Sequence, residues 1–255
     1  MTQLALAAAL AGAVALLAYR ARTLTIGGAI AAFVVGTAVF GAGGWRAAAV
    51  LFAFFIPSAV LSRVGSQRKR TLGDEKQAPR NAWQVFANGG VAAVCIVAAS
   101  RGFAPLAAAF AGAFAAASAD TWGTEVGMLS RRNPVSILTL RPVAAGLSGG
   151  VTLLGSVASA GGAICVALTA WLVHLGPFWA VALGGIAGAL ADSLVGASLQ
   201  ALRWCPTCSR ECETDRHSCG TPAVLRRGVA WIANDAVNFI ATICGALIAG
   251  ATAGI

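Results

Sequence analysis

The sequence predicts an all-α polytopic membrane protein, and its composition is the main reason. Of the 255 residues, 58% are hydrophobic and only 11% are charged, whereas about a quarter of the residues in a soluble domain are charged. The 31 glycines favour helices that pack closely through small faces, either within the chain or in a homodimer. We therefore expect residues 1–255 to form a single transmembrane domain.

About eight apolar runs approach or exceed the roughly 17 residues that a membrane-spanning helix needs. Pro57 is expected to kink the third, for which a broken or re-entrant segment is the alternative to a continuous span. The runs lie at about 3–19, 24–41, 47–62, 83–100, 103–120, 149–174, 178–200 and 230–252.

The basic residues predict the orientation of these spans. Lys and Arg concentrate in the first, third, fifth and seventh loops, and only Arg46 and Arg101 fall on the other side. Because cytoplasmic loops accumulate Lys and Arg, the odd-numbered loops are expected to be cytoplasmic and both termini outside. The net charge of +9 then reflects topology, and no nucleic acid is expected as a partner. The predicted location is the inner (cytoplasmic) membrane.

The stretch AAASADTWGTEVG, residues 115–127, brings polar groups to the end of a long apolar run. Asp120, Thr124 and Glu125 fall there within about one and a half helical turns. A carboxylate near hydrocarbon costs roughly 2.5–3.5 kcal/mol on insertion scales, so it is a functional candidate. The alternative is that Asp120 is only a polar cap or loop residue outside the bilayer.

Two further spans carry polar residues at helical spacing near the same predicted depth. On the fourth, such residues recur every four positions and share a face if the helix begins near Pro79. On the eighth, they share a face through i,i+3 and i,i+4 spacing. The two sets are Lys76, Arg80, Gln84 and Asn88, and Asn234, Asp235 and Asn238.

The sixth and seventh spans complete this group. Asp192 and Ser193 lie in the cytoplasmic third of the seventh. The sixth is expected to begin with Ser148, a capping residue, followed by Gly149 and Gly150, whose amides are suited to hold a phosphate. Five helices thus contribute polar groups on one side, and the alternative is that these groups only join the helices together.

The composition of this group limits its chemistry. The carboxylates of Asp120, Glu125, Asp192 and Asp235, with nearby amides, are oxygen ligands suited to Mg²⁺ held together with substrate phosphates. Five basic residues flank the group and are expected to bind phosphate, namely Lys76, Arg80, Arg131, Arg132 and Arg141. Neither histidine of the chain is expected in the group, and no Walker-type element is present. These features predict Mg²⁺-dependent phosphoryl transfer at the cytoplasmic membrane surface.

The seventh loop carries a second signal, a zinc-knuckle-like segment at 203–228. A C-x2-C pair on a cytoplasmic loop favours Zn²⁺ over disulfides. We prefer Cys205, Cys208, His217 and Cys219 as ligands, with Cys212 as an alternative ligand. A reduced loop without metal is the other interpretation.

The ordered motifs of this chain resemble a known family. SADTWGTEVG, RNAWQVFANGG, RPVAAGLSGGVTLLG, WIANDAVNF and the CPTC…HSCG loop are similar to those of the integral-membrane family once called domain of unknown function 92. That family includes transmembrane protein 19 of animals and the phytyl-phosphate kinase of plastids. The resemblance covers nearly the whole chain from about residue 20 onward.

The resemblance implies an isoprenoid-phosphate kinase, in which a nucleoside triphosphate donates its γ-phosphate to a prenyl monophosphate. Related phytol and dolichol kinases favour CTP, so CTP is the expected donor. Carried over by position, Asp120 and Glu125 would serve the metal and the nucleotide phosphates. Asn88, Asp192, Asp235 and Asn238 would complete the same pocket. The extra Cys212 departs from the family's usual pattern and leaves the zinc ligand set open.

Two other functions fit parts of the sequence. A transporter or lipid-head-group carrier would account for intramembrane carboxylates and for the similarity of residues 118–123 to residues 190–196. It would also need polar residues that continue toward the outer face, and these are nearly missing from the later spans. A cytidylyltransferase that makes a nucleotide–lipid would share the metal site and release pyrophosphate.

Overall fold

The computed structural model describes residues 2–65, 79–103 and 105–254, and within them the chain is mainly helical. Two small antiparallel sheets lie in the connections. The helices are α1 Thr2–Arg20, α2 Ile26–Leu61, α3 Ala82–Ala99, α4 Pro105–Gly127, α5 Leu153–Leu172, α6 Phe178–Ser198 and α7 Asn234–Thr252. The strands are β1 Val135–Ser136, β2 Gly150–Val151, β3 Leu202–Cys205, β4 Arg210–Cys212 and β5 Val224–Arg227.

The helix α2 reverses direction at Gly44. This residue has φ 59° and ψ −154°, a conformation that glycine adopts without strain. The rings of Phe40 and Phe52 lie 5.8 Å apart, although a straight helix would separate the two positions by about 18 Å. The halves 26–43 and 45–61 therefore run antiparallel, and the reversal falls between the predicted second and third spans.

The connections between helices collect at two opposite ends of the bundle. The beginning of α1 and the end of α7 lie at one end, where Gln3 Nε2 donates a hydrogen bond to the Gly41 carbonyl and Gly250 packs against Ala109. The described residues of the odd-numbered loops meet at the other. Three contacts there join distant segments: Leu24 with Arg80, Ser62 with Glu125, and Ser148 with Glu213.

The helix α4 lies at the centre of the bundle. Every residue from Ala108 to Ala119 is buried, and α4 packs against α2, α3, α5, α6 and α7. Glycine permits this closeness: a Cβ on Gly112 would lie 2.4 Å from the Gly245 carbonyl oxygen, and one on Gly155 would lie 2.8 Å from the Gly123 carbonyl oxygen. The predicted packing through small residues is therefore present around one helix.

Six helices of the described residues are long and apolar enough to cross a membrane, namely all except α4. Together with the helical content, they confirm the prediction of an all-α polytopic membrane protein. The structure contains no bilayer boundary, so eight crossings and the outside position of both termini stay predictions.

The close contact of α4 with α7 gives a stability prediction. Gly112→Ala places a methyl group against the backbone of Gly245 and should lower stability by about 1–3 kcal/mol, the usual effect of overpacking. Gly90→Ala is the matched control, because its Cβ meets only the Phe86 side chain at 3.9 Å. Thermal unfolding of both variants in one detergent measures the difference. Equal unfolding temperatures would contradict this account of the packing.

Candidate functional site

A polar cavity of about 460 Å³ opens among the helix ends that carry the predicted polar group. Its wall combines parts of α3, α4, α5, α6 and α7 with the connection between α4 and α5. Most residues predicted to bind metal or phosphate line it: Arg80, Gln84, Asn88, Asp120, Thr124, Glu125, Ser148, Gly149, Gly150, Asp192, Ser193, Asn234 and Asn238.

The last turns of α4 supply acidic side chains to this cavity. Because α4 continues to Gly127, Asp120, Thr124 and Glu125 are all helical residues, and the alternative that Asp120 lies in a cap or loop is wrong. Asp120 and Thr124 are four residues apart and share a helix face. Glu125 Oε1 accepts a hydrogen bond of 2.7 Å from Ser62 Oγ, which fixes its carboxylate at the cavity wall.

The helix α3 begins at Ala82, three residues after the start near Pro79 that the spacing of the polar residues predicted. Asn81 is its N-cap and forms a capping box with Gln84, in which each side chain accepts a hydrogen bond from the other residue's backbone amide at 3.0 Å. This reciprocal arrangement satisfies two backbone amides near the helix start, which have no partner within the helix itself. Gln84 still lines the cavity, and Asn88 follows one turn later with its Nδ2 donating to the Gln84 carbonyl.

Arg80 precedes this helix and has an acidic environment. Its amide donates to the Thr23 carbonyl, and its carbonyl accepts from the Thr25 amide, so the loop before α2 fixes its backbone. Burial lowers the pKa of Arg80, whereas the charges of Glu125 and Asp120 raise it. The guanidinium therefore lies within electrostatic range of two carboxylates of the cavity. Lys76, the preceding member of the predicted set, lies outside the described residues.

The turn before α5 differs from the predicted helix start. Thr152 is the N-cap, and its Oγ1 accepts from the Gly155 amide at 3.0 Å. Gly149 has φ +76°, a left-handed conformation that ends any helical path from Ser148. The amides of Ser148 and Gly150 donate to Glu213 Oε1 and to the Leu147 carbonyl. The Gly150 amide, one of the two predicted to hold a phosphate, is therefore already bonded within the turn. Phosphate binding by the Gly149 amide stays a prediction, and Ser148, Gly149 and Gly150 all line the cavity.

The helices α6 and α7 complete the wall. Asp192 and Ser193 come from α6, and Asn234 and Asn238 come from the first turns of α7. Asp235 is half-buried but does not line the cavity, because adjacent helical residues point about 100° apart. Arg141 is exposed in the loop between β1 and β2 and also lies away from the wall.

Several cavity residues were not predicted from the sequence as ligands. Ser156 and Ser159 line the cavity from α5, and Ser62, which does not line it, contacts the wall residue Glu125. Hydroxyls are common in apolar helices, so single serines carry little signal. The i,i+3 spacing of Ser156 and Ser159 on the small-residue face of α5 is the sequence feature that could have predicted their place in the site. By contrast, Arg131 and Arg132 were predicted from the sequence to bind phosphate, and both line the cavity.

A second, apolar pocket of about 90 Å³ adjoins the polar cavity. Side chains of α1, both halves of α2 and Phe114 of α4 form its walls. Three residues, Arg80, Gln84 and Asn88, line both the pocket and the cavity. The two spaces are therefore adjacent along one face of α3 and at Arg80, two residues before this helix begins.

The cysteine-rich segment brings four of its five candidate ligands together. The ligand atoms of Cys205, Cys208, His217 and Cys219 all lie within 4.8 Å of one another. The sulfur of Cys212 instead donates to the Thr214 carbonyl at 3.8 Å. The structure thus groups the ligand set that the sequence analysis preferred, and Cys212 lies outside it.

Comparison with known proteins identifies the family. The family model for integral membrane protein DUF92 matches residues 9–246. The chain belongs to this family. Protein PGR of Arabidopsis thaliana is 31% identical to this DUF92 chain over 266 residues. The alignment covers 90% of the chain and 89% of Protein PGR. No solved structure matches the chain significantly.

Two other relatives have names that specify only membrane proteins. An uncharacterised membrane protein of Methanocaldococcus jannaschii is 31% identical over 92% of the chain and 87% of its own length. Another, of Synechocystis, is 28% identical over 86% of the chain and 78% of its own length. The comparisons therefore establish an integral membrane DUF92 protein and give no substrate.

The open polar cavity makes a labelling prediction for this DUF92 protein. In Ser156→Cys, a charged, membrane-impermeant thiol reagent should modify position 156 faster than the native Cys165 on the same helix. Ser156 lines the polar cavity, whereas the Cys165 sulfur faces the Ala53 carbonyl. Peptide mass spectrometry of protein in liposomes compares both sites in one molecule. Preferential labelling of Cys165 would show that the cavity is closed to solutes.

Proposed function

We propose that this DUF92 protein is a Mg²⁺-dependent prenyl-monophosphate kinase that uses a nucleoside triphosphate, with CTP as the first donor to test. The observation that carries the proposal is the junction of the two spaces at Arg80, Gln84 and Asn88. A molecule with a phosphate head and a hydrocarbon tail matches a junction between a polar cavity and an apolar pocket. The arginine and the two amides at that junction suit the phosphate.

The polar cavity has the donor set that such a reaction needs. Asp120, Glu125 and Asp192 provide carboxylate oxygens on its wall, and four asparagine residues that line it can add amide oxygens. Mg²⁺ prefers such oxygen ligands together with substrate phosphates. Bound there, Mg²⁺ would neutralise charge on the transferring phosphoryl group. Arg131 and Arg132 line the same wall and suit the phosphates of the nucleotide.

A phosphate acceptor would require less from the side chains of the cavity than an alcohol would. A monoester phosphate has a second pKa near 6 and is already ionised at neutral pH, so its attacking oxygen needs no general base. Neither of the two histidines lines the cavity. In the proposed step the acceptor oxygen forms a bond to the γ-phosphorus, the bond from that phosphorus to the β–γ bridging oxygen breaks, and the nucleoside diphosphate leaves.

The small size of the apolar pocket bears on the length of the lipid. Its volume of about 90 Å³ is less than the roughly 150 Å³ that accommodates a benzene ring in a protein core. It therefore accepts the part of a hydrocarbon chain next to the phosphate. The remainder of the chain would extend into the bilayer, and membrane lipids would surround it.

The basic loops support a cytoplasmic site. The described residues of the odd-numbered loops lie at the cavity end of the bundle, and cytoplasmic loops accumulate Lys and Arg. In the inner membrane of a cell, that orientation would expose the cavity to nucleoside triphosphates. A transport pathway is not favoured, because α4 is buried and apolar from Ala108 to Ala117 beyond the cavity.

A nucleotide screen tests the proposed reaction. Purified protein in detergent is incubated with Mg²⁺, each nucleoside triphosphate, and geranylgeranyl or phytyl monophosphate, and the lipid products are extracted. We expect a lipid diphosphate and release of a nucleoside diphosphate. A nucleotide-bearing lipid with release of pyrophosphate would establish a cytidylyltransferase instead. No product from folded protein with any nucleotide would refute the kinase.

Substitution of single carboxylates tests the placement of the site. Asp120→Asn and Asp192→Asn should each reduce the rate by at least about 100-fold, because each removes a charged oxygen from the metal-binding wall. Asp235→Asn should have a much smaller effect, since Asp235 does not line the cavity. Initial rates at saturating nucleotide, with thermal unfolding as the folding control, give the comparison. Equal losses of rate in all three variants would contradict the placement of Asp120 and Asp192, but not Asp235, on the wall of the active cavity.

The apolar pocket gives a prediction about the first isoprene unit. Ala32→Phe should raise the KM for geranylgeranyl monophosphate by about tenfold, because the ring displaces roughly two methylene groups of the substrate. Dimethylallyl monophosphate should be affected to a similar extent, because its single isoprene unit would occupy the same pocket. Val34→Phe is the control, since Val34 lies on the same helix, does not line the pocket and is 49% exposed. The same KM change in both variants would show that the hydrocarbon part of the substrate binds outside this pocket.

A further inference from the structure

The cysteine-rich segment has the geometry of a metal site. Cys205 Sγ and Cys219 Sγ lie 3.5 Å apart, and His217 Nδ1 lies 3.2 Å from Cys219 Sγ. A disulfide would require about 2.05 Å between sulfurs, whereas ligands of a tetrahedral zinc ion, with bonds near 2.0–2.3 Å, lie about 3.5–3.8 Å apart. The amide of Cys208 also donates to Cys205 Sγ at 3.5 Å.

We propose that Cys205, Cys208, His217 and Cys219 bind one Zn²⁺ ion, and that the closed segment holds Glu213 in place as a positioning residue for the polar cavity. Three thiolates and one imidazole form a closed structural zinc set. Softness of the sulfur ligands disfavours Mg²⁺ and Ca²⁺ at this position. The proposal concerns the architecture of the site and does not depend on the reaction performed there.

The small sheet connects the cluster to Glu213. Cys205 ends β3, and it is the register partner of Arg210 in β4. The strand β4 ends at Cys212, so Glu213 is the first residue after it. Glu213 therefore lies between the first two zinc ligands and the last two along the chain. Closing the segment around an ion fixes both ends of the short stretch that carries this carboxylate.

Glu213 reaches out of the segment to the cavity wall. Its carboxylate accepts hydrogen bonds from the Ser148 amide, from Ser148 Oγ at 3.0 Å and from Gln200 Nε2 at 2.9 Å. Gln200 is 3% exposed, so part of this network is buried. Hydrogen bonds to a charged acceptor are roughly twice as strong as neutral ones. The wall residue Ser148 is therefore held by a residue of the cysteine-rich segment.

The turn that Glu213 holds also packs against α6. A Cβ on Gly149 would lie 2.4 Å from Ala197 Cβ, and a Cβ on Gly196 would lie 3.0 Å from Ser148 Cβ. Asp192 lies one turn before Gly196 on that helix. Displacement of the turn would change the cavity wall next to Asp192. The turn therefore connects the zinc cluster to the cavity.

Metal analysis of the full chain tests the ligand set. Protein purified without chelator should contain about one zinc ion per chain by inductively coupled plasma mass spectrometry, and Cys208→Ser and Cys219→Ser should lose it. Cys212→Ser is the matched control and should keep its zinc. Protein that binds no zinc, iron at the same stoichiometry, or zinc retained in both ligand variants would overturn the site.

Hydrogen–deuterium exchange tests the positioning role without an activity assay. Glu213→Ala should keep zinc and speed exchange of the peptide 144–152 by about tenfold, the factor expected for loss of a hydrogen bond to a charged group. Glu213→Gln, which keeps one oxygen acceptor, should restore part of the protection. Glu211→Ala is the control, because Glu211 is exposed on the same strand.

A chelator separates the proposed connection from a general effect of zinc on folding. Removal of zinc from the native chain should speed exchange of the same peptide, whereas removal from Glu213→Ala should add little. Unchanged exchange in Glu213→Ala would overturn the positioning role. Equal, additive effects of chelator and substitution would show that zinc acts on the turn by another route.

Discussion

Close packing around α4 is the constraint on which the rest of the structure depends. Glycine and alanine let α5, α6 and α7 approach the α4 backbone so closely that a single methyl group on Gly112 has no space. Transmembrane helices lack a strong hydrophobic force between them, so small faces and close contacts provide the association. The result is that the last two turns of α4 present Asp120 and Glu125 from a fixed position, surrounded by the ends of four other helices.

That arrangement explains how carboxylates are tolerated in an apolar protein. Asp120, Glu125 and Asp192 face a polar cavity instead of lipid, and Arg80 lies within electrostatic range of the first two. Paired and hydrated charges cost far less than isolated charges in hydrocarbon. The same arrangement places a cation and oxygen ligands beside an apolar pocket, which is the combination that a phosphorylated lipid requires.

Much of this arrangement was predictable because helical periodicity and loop charge constrain a membrane protein strongly. The alternating basic loops correctly placed the polar residues of distant segments at one end. The cysteine and histidine spacing of the seventh loop gave five candidate ligands, and the preferred four lie together. Local backbone geometry was less predictable. The helices α3 and α5 begin later than predicted, because of the capping box at Asn81 and the left-handed conformation of Gly149. Asp235 does not line the cavity, although the adjacent Asn234 does. The long-range contact of Glu213 with Ser148 has no sequence signal.

The central claim is that one lipid phosphate binds where the apolar pocket meets the polar cavity. Photo-crosslinking tests it most directly, with a prenyl monophosphate that carries a diazirine near the first isoprene unit and with peptide mass spectrometry to locate the adducts. The account predicts adducts on the pocket-lining residues of α1, α2 and α3, suppressed by excess unlabelled prenyl monophosphate. Adducts spread over the lipid-facing surface, or concentrated at the opposite end of the bundle near Gly44, would contradict it.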